Sequence, residues 1–316
     1  MNKIKPAFII IAAFLSFAVV ITLIKKGSDS WTVSPATEPR HKVYLITMDK
    51  KDQHWHTMNE GAAKMAELLD IEYIWEAPQT RDITMQIEVI YQAVEDGADL
   101  ILLAANDPVA VSTAIEDGKA QGVQFIYVDS PAYEEAIVTL STDNYFAGVT
   151  AAEAMLGELD GKGISGGVIG IIGVSIRTNS TINRELGFRS VIEGDGRFRL
   201  LETEYTEGDA VASEQACTKM ISENPTLIGL FGTNEGSTEG VGKAIKANKP
   251  EVIGIGCDRS EENLTLIRVG SLRAVLAQNP YTMGYLGMAE AYAALEGLDT
   301  GPQVLNTGIS LLRKRQ

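Results

Sequence analysis

The sequence predicts an α/β protein of two doubly wound parallel-sheet lobes, and three observations support this. Apolar, β-rich runs alternate with segments of helical spacing from residue 42 onward. The alternation pauses once, at STDNYFAG (141–148), and then repeats. The chain has 316 residues, enough for two cores, because single cores stop growing at about 250–300 residues. Strands that alternate with helices imply parallel sheets with right-handed crossovers.

The first series of elements ends at Asp129. LILLAA (100–105) is a continuous apolar run, as expected for a strand buried on both faces. Asp82 is suited to cap a helix and Gly97 to end it. The predicted strands are 42–48, 71–77, 100–105 and 123–129, and the predicted helices lie within 56–70, 82–98 and 108–122.

The second series repeats this order from residue 145. Its predicted strands are 166–174, 199–205, 227–233, 251–258 and 272–278, and its predicted helices are 145–159, a helix that contains Arg184, 209–223, 236–248 and about 261–268. Ligands of doubly wound sheets bind beyond the carboxyl ends of the strands, so polar residues there are candidates for a site.

The N-terminus carries an apolar targeting segment. Lysines flank an uncharged run from Pro6 to Ile24 on both sides. The run approaches the ~20 residues that cross a bilayer and exceeds the apolar core of about 7–15 residues in a signal peptide. We predict a signal anchor or a cleaved signal peptide over 1–26, the anchor being favoured, and a polar linker over 27–41. The remainder is expected outside the cytoplasm, membrane-anchored through residues 6–24.

Composition and motifs exclude several classes of function. A net charge of −15 without a basic cluster argues against nucleic-acid binding. Cys217 and Cys257 lack CxxC spacing and are expected to be small buried residues, and three histidines make a His-rich metal site improbable. GKGISG (161–166) matches a dinucleotide fingerprint but precedes a strand instead of following one. We therefore expect no cofactor and no metal, and no motif supports an enzyme.

Polar residues collect where the predicted strands end. They are Asp49, Asn106, Asp107 and Asp129 in the first series and Asn234, Asp258 and Gln278 in the second. Any one of them is also explained by the preference of Asn and Asp for turns and helix caps. The presence of so many polar residues in one layer favours a ligand site. The hydroxyls of a sugar suit the carboxylates and amides of these residues and the guanidinium of Arg184. Trp55 and His54, after Asp52 in DKKDQHW, are candidates to contact the apolar face of a sugar, although Trp55 could equally be a core or rim aromatic.

From Lys42 onward the chain resembles the type I periplasmic monosaccharide-binding proteins of the ribose-, galactose- and xylose-binding group. The motifs that carry the resemblance are YVDSP (127–131), LSTDNYFAG (140–148), INRELGFR (182–189), GTNEGS (232–237), GIGCDRSEE (254–262) and AQNPYTMGYLG (277–287). These proteins are substrate-binding subunits of ABC transporters, with two lobes joined by three crossovers and a sugar in the cleft. The resemblance implies ligand roles for Asp129, Arg184, Asn234, Asp258 and Gln278, and the full candidate set adds Asp52, His54, Trp55, Asn106 and Thr142.

Departures from the family pattern bear on which sugar is bound. Ser130 stands where ribose binders have arginine, His54 and Trp55 stand where they have paired phenylalanines, and Ala104 stands where many members have asparagine. An aldopentose or aldohexose pyranose is therefore expected, not ribose in particular. The resemblance also implies an N-terminal lobe of 42–142 with 279–307 and a C-terminal lobe of 143–278 with 308–316.

The predicted function is an extracytoplasmic binding protein, monomeric apart from its membrane partner, that closes on a pentose or hexose and presents it to an ABC permease. The alternative is a membrane-anchored sugar receptor that signals to a sensor kinase or chemoreceptor. A repressor of the lactose-repressor type would need an N-terminal helix-turn-helix, which residues 1–41 do not resemble. A sugar hydrolase would need a carboxylate pair, which Asp129 and Asp258 could supply, but both are better explained as hydroxyl acceptors.

Overall fold

The computed structural model describes residues 41–314, and within them the strands form two sheets. The first has the order β12-β5-β4-β3-β1-β2. Its strands are β1 (Lys42–Ile46), β2 (Glu72–Glu76), β3 (Leu100–Leu103), β4 (Gln124–Val128), β5 (Thr139–Ser141) and β12 (Val304–Asn306). All of its pairings are parallel. We call this sheet and its helices the N-terminal lobe.

The second sheet has the order β13-β11-β10-β9-β6-β7, and β8 also pairs with β6. Its strands are β6 (Gly167–Gly173), β7 (Phe198–Leu200), β8 (Glu204–Tyr205), β9 (Leu227–Gly232), β10 (Ile253–Cys257), β11 (Ala274–Ala277) and β13 (Ser310–Arg313). This sheet and its helices form the C-terminal lobe. Only β13 departs from the predicted parallel pattern, because it pairs antiparallel with β11. Such an edge strand is common on parallel sheets.

Helices cover both faces of each sheet. The N-terminal lobe has α1 (Gln53–Leu69), α2 (Ile83–Glu95), α3 (Ser112–Ala120) and α9 (Pro280–Leu295). The C-terminal lobe has α4 (Asn144–Gly161), α5 (Asn179–Asp195), α6 (Ala210–Glu223), α7 (Glu235–Asn248) and α8 (Glu261–Val269). Two apolar clusters per lobe, one for each sheet face, form the cores. Cys217 and Cys257 are buried and unpaired, as predicted.

The chain passes between the two sheets three times. The passages follow β5, β11 and β12, so residues 142–143, 278–279 and 307–309 link the lobes. The predicted fold class of two doubly wound lobes joined by three crossovers is thus confirmed. The lobe boundaries at 142, 278 and 307 are kept as a proposal. The predicted segment 1–26 and the predicted linker 27–41, except for its last residue, lie outside the described residues.

Three local differences from the sequence prediction stand out. Helix α1 begins at Gln53, three residues earlier than predicted, and carries His54 and Trp55 in its first turn. The predicted strand 199–205 is divided into β7 and β8, which pair with different parts of β6. Helix α9, β12 and β13 lie beyond the last predicted element, and they complete both sheets.

Candidate functional site

Eight of the ten candidate residues line one small cavity enclosed between the two lobes. They are Asp52, His54, Trp55, Asp129, Arg184, Asn234, Asp258 and Gln278. Met48, Arg81, Ser180 and Thr181 complete the lining of this cavity, whose volume is about 20 Å³. Part of the polar layer predicted at the strand ends therefore meets in one site built from both lobes, namely Asp129, Asn234, Asp258 and Gln278, whereas Asp49, Asn106 and Asp107 do not line it.

Two aspartates follow equivalent strands of the two lobes. Asp129 comes directly after β4 and Asp258 directly after β10, and both have left-handed backbone, with φ of 63° and 70°. This conformation is uncommon for residues other than glycine, and Asp tolerates it better than most. Both carboxylates are buried, with 3% and 5% of the residue exposed. A turn alone would not require a buried carboxylate, so the left-handed turns direct these side chains into the cavity.

The imidazole of His54 lies between the two carboxylates. Its Nε2 is 3.0 Å from Oδ1 of Asp129, and its Nδ1 is 3.9 Å from Oδ1 of Asp258. Burial alone lowers the pKa of His54, but the two carboxylates raise it by more, so the net shift is upward. Burial acts to raise the pKa of Asp129, yet its contact with His54 holds that pKa below its usual value. The contact therefore favours the charged form of both partners.

Arg184 faces the cavity and not the solvent. It is 2% exposed, although it lies on helix α5. Its Nε donates to Asn144 Oδ1 at 2.8 Å, and its Nη1 donates to the Thr233 carbonyl at 2.8 Å. Nη1 is also 3.5 Å from Oδ2 of Asp258, whose Oδ1 accepts from Gln278 Nε2 at 2.7 Å. Two nitrogens of the Arg184 guanidinium, Nε and Nη1, thus already donate to protein groups, next to the carboxylate of Asp258.

Helix α4 lets Arg184 take this position because a glycine faces it. A Cβ on Gly148 would lie 2.0 Å from the Arg184 carbonyl oxygen and 2.8 Å from the Phe188 amide nitrogen. No side chain fits at those distances, so the close approach of α4 and α5 depends on this glycine. The packing of two helices therefore determines where the guanidinium enters the site.

Asp49 organises the first strand–helix junction. Its Oδ1 accepts from the amides of Lys51 and Asp52, and its Oδ2 accepts from Trp55 Nε1 at 3.1 Å. Trp55 is 2% exposed and belongs to the apolar core of the N-terminal lobe, while its ring also borders the cavity and meets His54 edge-on at 4.7 Å. The core explanation of Trp55 is therefore correct, and its contact with a sugar stays a prediction.

Asp52 and Asn234 meet across the cleft. Nδ2 of Asn234 lies 3.5 Å from Oδ2 of Asp52, and Oδ1 of Asn234 caps helix α7 by accepting from the amide of Ser237. Asn234 is thus a helix cap and a cavity residue at once. Burial and the neighbouring Asp49 carboxylate raise the pKa of Asp52 to about 6, against the lowering effect of Arg81.

Arg81 is a cavity residue that sequence reasoning missed. Its side chain is 8% exposed, with Nε 3.5 Å from Asp49 and Nη2 3.6 Å from Asp52. It precedes Asp82 in the loop after β2, so it occupies the same strand-end layer as the predicted residues. The strand-end argument, applied to every loop of the first lobe, would have found it.

Two candidates lie outside the lining of the cavity. The backbone of Asn106 donates to Gln86 Oε1 and accepts from Thr178 Oγ1 of the other lobe, at 2.9 and 3.0 Å. Thr142 is buried in the first link between the lobes, and its carbonyl accepts from Asn144. A ligand role for Asn106 and Thr142 remains a prediction, and both are placed to support the junction of the lobes.

Two wider depressions flank the cavity. One, of about 550 Å³, is lined partly by the exposed Tyr133 and Ile176 and by the buried Asp107, and the other, of about 380 Å³, lies near Arg259 and shares His54 and Gln278 with the small cavity. Within residues 41–314 no group of three or more His, Cys, Asp or Glu side chains is arranged to hold a metal ion. The small cavity, with its paired charges, is therefore the candidate site.

The comparisons with known proteins agree with this geometry. A family model described as a periplasmic binding protein domain matches residues 43–299. The chain is similar to the ribose import binding protein RbsB of Haemophilus influenzae, with 22% identity over 84% of this chain and 89% of that protein. It is also similar to the xylose/arabinose-binding protein XylF of Sulfolobus acidocaldarius, with 24% identity over 85% of this chain and 72% of that protein.

Solved structures show the same fold. A carbohydrate transporter solute binding protein from Agrobacterium radiobacter, in complex with D-arabinose, superposes with a TM-score of 0.83 and 26% identity, over 88% of this chain and 96% of that one. The periplasmic component of an ABC-type sugar transport system from Hahella chejuensis gives a TM-score of 0.82 and 27% identity, over 86% and 100% of the two chains.

Proposed function

Because the chain belongs to the periplasmic binding protein family, we propose that its two lobes close on a pentose or hexose and present it to an ABC sugar transporter. The observation that carries this proposal is the convergence of eight predicted polar and aromatic side chains, from both lobes, on one enclosed cavity. Family membership implies an extracytoplasmic location.

The chemistry of the cavity suits a polyhydroxylated ligand. Carboxylates of Asp129 and Asp258 accept hydrogen bonds from hydroxyls, the Arg184 guanidinium donates in a fork, and the amides of Asn234 and Gln278 do both. Each of the three carboxylates in the lining has a cationic side chain within 4 Å. The charges are therefore balanced internally, which favours a neutral sugar over an anionic ligand.

Closure follows from the way the two lobes share the site. The cavity of about 20 Å³ has room for about one or two water molecules, so a sugar enters only when the lobes separate. Its hydroxyls then take over contacts that protein groups now make with each other, such as Gln278 with Asp258. A ligand that touches both lobes stabilises the closed form by its differential affinity, and the closed surface is what a permease would recognise.

The candidate sugars come from the relatives. The relatives are named as binding proteins for ribose, for xylose and arabinose, and for ribose and allose. A solved structure of the same fold contains D-arabinose. We extend these sugar classes, pentose and hexose, to this chain. We assign it no enzymatic activity, and this is tested by whether an oligosaccharide incubated with the protein is cleaved.

A membrane-anchored receptor is the second candidate, and the apolar run from Pro6 to Ile24 favours it. That run lies outside the described residues, and within residues 41–314 no helix has the length and apolar character needed to cross a bilayer. Fractionation of cells that express the full chain tests the anchor that the receptor requires. Retention in the membrane at full length supports that anchor, which a transport protein can share, whereas release of a shortened protein supports a cleaved signal peptide and contradicts the anchored receptor.

Thermal unfolding of the full chain with single monosaccharides tests the proposed function. The panel contains D-ribose, D-xylose, D- and L-arabinose, D-allose, D-galactose and D-glucose, with sucrose as the control for non-specific stabilisation. A ligand at a hundredfold excess over its Kd stabilises the folded protein by about 2.7 kcal/mol. A raised midpoint with one or a few of these sugars supports the proposal, and equal midpoints throughout contradict it.

A further inference from the structure

The N-terminus of helix α1 lacks a cap from its own lobe. Asp52 occupies the N-cap position without making a side-chain hydrogen bond to the helix, and the first turn contains no acidic residue. The first N–H groups of a helix have no partner within the helix and need one when they are buried. Asp52 instead directs its carboxylate toward Arg81 and Asn234.

Glu235 of the other lobe supplies the missing cap. Its Oε1 accepts from the amide of Gln53 at 2.9 Å, and its Oε2 accepts from the amide of His54 at 3.0 Å. The residue is 7% exposed and is the first residue of α7. The two oxygens of one carboxyl group therefore hold both of these amides.

The exchange is reciprocal. Oε1 of Gln53, in the N-terminal lobe, accepts from the amide of Glu261 at 2.9 Å. Glu261 is the first residue of α8 in the C-terminal lobe, and the N-cap side chain of that helix, Ser260, is occupied with the amide of Asn263. Each lobe thus satisfies a helix N-terminus of the other, and neither contact survives separation of the lobes.

We propose that Glu235 and Gln53 form a cross-cleft latch that completes closure of the lobes and makes it depend on pH. The inference rests on the proposed function, because closure around a sugar is the step that the latch supports. Glu235 and Gln53 are positioning residues, since they hold helices of the opposite lobe and line no part of the cavity formed by the candidate ligand residues.

Groups around Glu235 support the pH dependence. Burial and the Asp52 carboxylate raise the pKa of Glu235 to about 8, and Asp258 raises it further, while the amides of Gln53 and His54 lower it. In separated lobes the carboxyl meets water and returns toward its usual pKa of about 4.3. Closure therefore takes up a proton. The closed form is favoured at low pH, and this contribution is lost as the pH rises through about 8.

Protonation of Asp52 and His54 also favours the closed form at low pH, because the pKa values of both groups are raised in the closed arrangement. The effect of Glu235 is isolated by comparing the wild type with Glu235→Gln. The amide keeps one acceptor oxygen but turns an NH₂ group toward a backbone N–H, and it does not titrate. Glu262→Gln is the matched control, because Glu262 is an exposed acidic residue in the first turn of α8.

The experiment measures the distance between spin labels on the two lobes of the full chain. Glu116→Cys on α3 and Glu223→Cys on α6 provide exposed attachment sites. Cys217 and Cys257 do not react because both are buried and burial raises the pKa of both thiols. Distances are recorded without sugar and in titrations with the sugars of the panel, at about pH 6 and pH 8.5. The wild type is expected to need about tenfold more sugar for half-closure at the higher pH, whereas Glu235→Gln, which does not titrate, should half-close at nearly the same concentration at both pH values.

The outcomes separate the latch from the proposed function. The latch and the proposed function are both supported if a sugar closes the wild type at a lower concentration at the lower pH and Glu235→Gln removes most of this dependence on pH. The latch is wrong, and sugar binding stands, if a sugar closes the wild type and Glu235→Gln at equal concentrations at both pH values. If no sugar changes the distance but low pH shortens it in the wild type and not in Glu235→Gln, the latch stands and sugar binding is wrong. Unchanged distances in every condition reject both.

Gln53→Ala tests the second half of the latch. It removes a neutral acceptor, so it should raise the half-closing concentration while leaving the pH dependence unchanged. A loss of pH dependence in Gln53→Ala, or in the Glu262→Gln control, would contradict the assignment of that dependence to Glu235.

Discussion

Asp129 and Asp258 occupy equivalent positions in the two lobes, with the His54 imidazole between their carboxylates. Each follows its strand in left-handed backbone, and each donates its amide to a carbonyl of the neighbouring strand segment at 2.8 Å, Leu140 for Asp129 and Leu276 for Asp258. Nε2 of His54 is 3.0 Å from Asp129, and its Nδ1 is 3.9 Å from Asp258. A side chain of one lobe therefore links the corresponding carboxylates of both.

Replacing Asp258 with asparagine should weaken sugar binding by about 2–4 kcal/mol, because the Arg184 guanidinium keeps no carboxylate within 4 Å. Asparagine tolerates the left-handed backbone, so the turn itself is preserved. Isothermal calorimetry with the sugar that raises the unfolding midpoint measures the loss. Unchanged affinity would remove Asp258 from the site, and Glu262→Gln, at an exposed acidic position, serves as the control.

The contact between His54 and Asp129 should make stability depend on pH in a defined direction. His54 has a raised pKa in the folded protein, so its contribution is present below its usual pKa of about 6.5 and is lost as the pH rises through the folded value. Asp129 has a lowered pKa, so its contribution is lost only in acid. The difference in urea midpoint between the wild type and His54→Gln should therefore shrink as the pH rises above about 6.5. A difference that stays constant would show that the imidazole is neutral throughout.

Gly148→Ala should destabilise the C-terminal lobe by about 1–3 kcal/mol and weaken sugar binding, because the added methyl group separates α4 from α5 and moves Arg184. Gly157→Ala on the same helix is the matched control, since a Cβ there meets nothing within 4 Å. The control should stabilise the protein by about 0.5–1 kcal/mol through helix propensity. Equal midpoints for the two variants would contradict the packing argument.

The ion pair between Asp107 and Arg177 across the cleft should matter little, because its arginine is exposed. Arg177 Nε lies 3.5 Å from Asp107 Oδ2, but the arginine side chain is 62% exposed. Arg177→Gln should therefore change sugar affinity by less than about 1 kcal/mol, and high salt should remove the difference. A loss comparable with that of Asp258→Asn, measured by the same calorimetry, would show that this pair carries closure instead of Glu235.

Much of the site was predictable because parallel sheets bring the carboxyl ends of their strands to one edge. Asp129, Asn234, Asp258 and Gln278 follow predicted strands, and the structure places all four around one cavity. Arg184 was identified from a family motif on a helix with no clear apolar face. Its burial is explained by the contact of Gly148 with α5, which the local sequence does not reveal.

Other features depend on contacts between residues far apart in the sequence. Strands β5 and β12 have three residues each and become strands only by pairing with each other and with β4. The bond between Glu235 and the start of α1 joins residues separated by 182 positions. No local pattern distinguishes Glu235 from an ordinary acidic residue in the first turn of a helix.

The sequence by itself determined the α/β class, the two lobes, the sugar-binding family and most of the residues around the cleft. The class and the lobes follow from hydrophobic periodicity, the cleft residues from residue types at strand ends, and the family from the resemblance of its ordered motifs, and all three signals are local in the chain. Only the tertiary structure decided which charges pair, which helix end is capped by which lobe, and that Trp55 serves the core and the cavity together. These properties depend on how the two lobes approach one another, and the free energy of each contact is set by burial that exists only after they have closed.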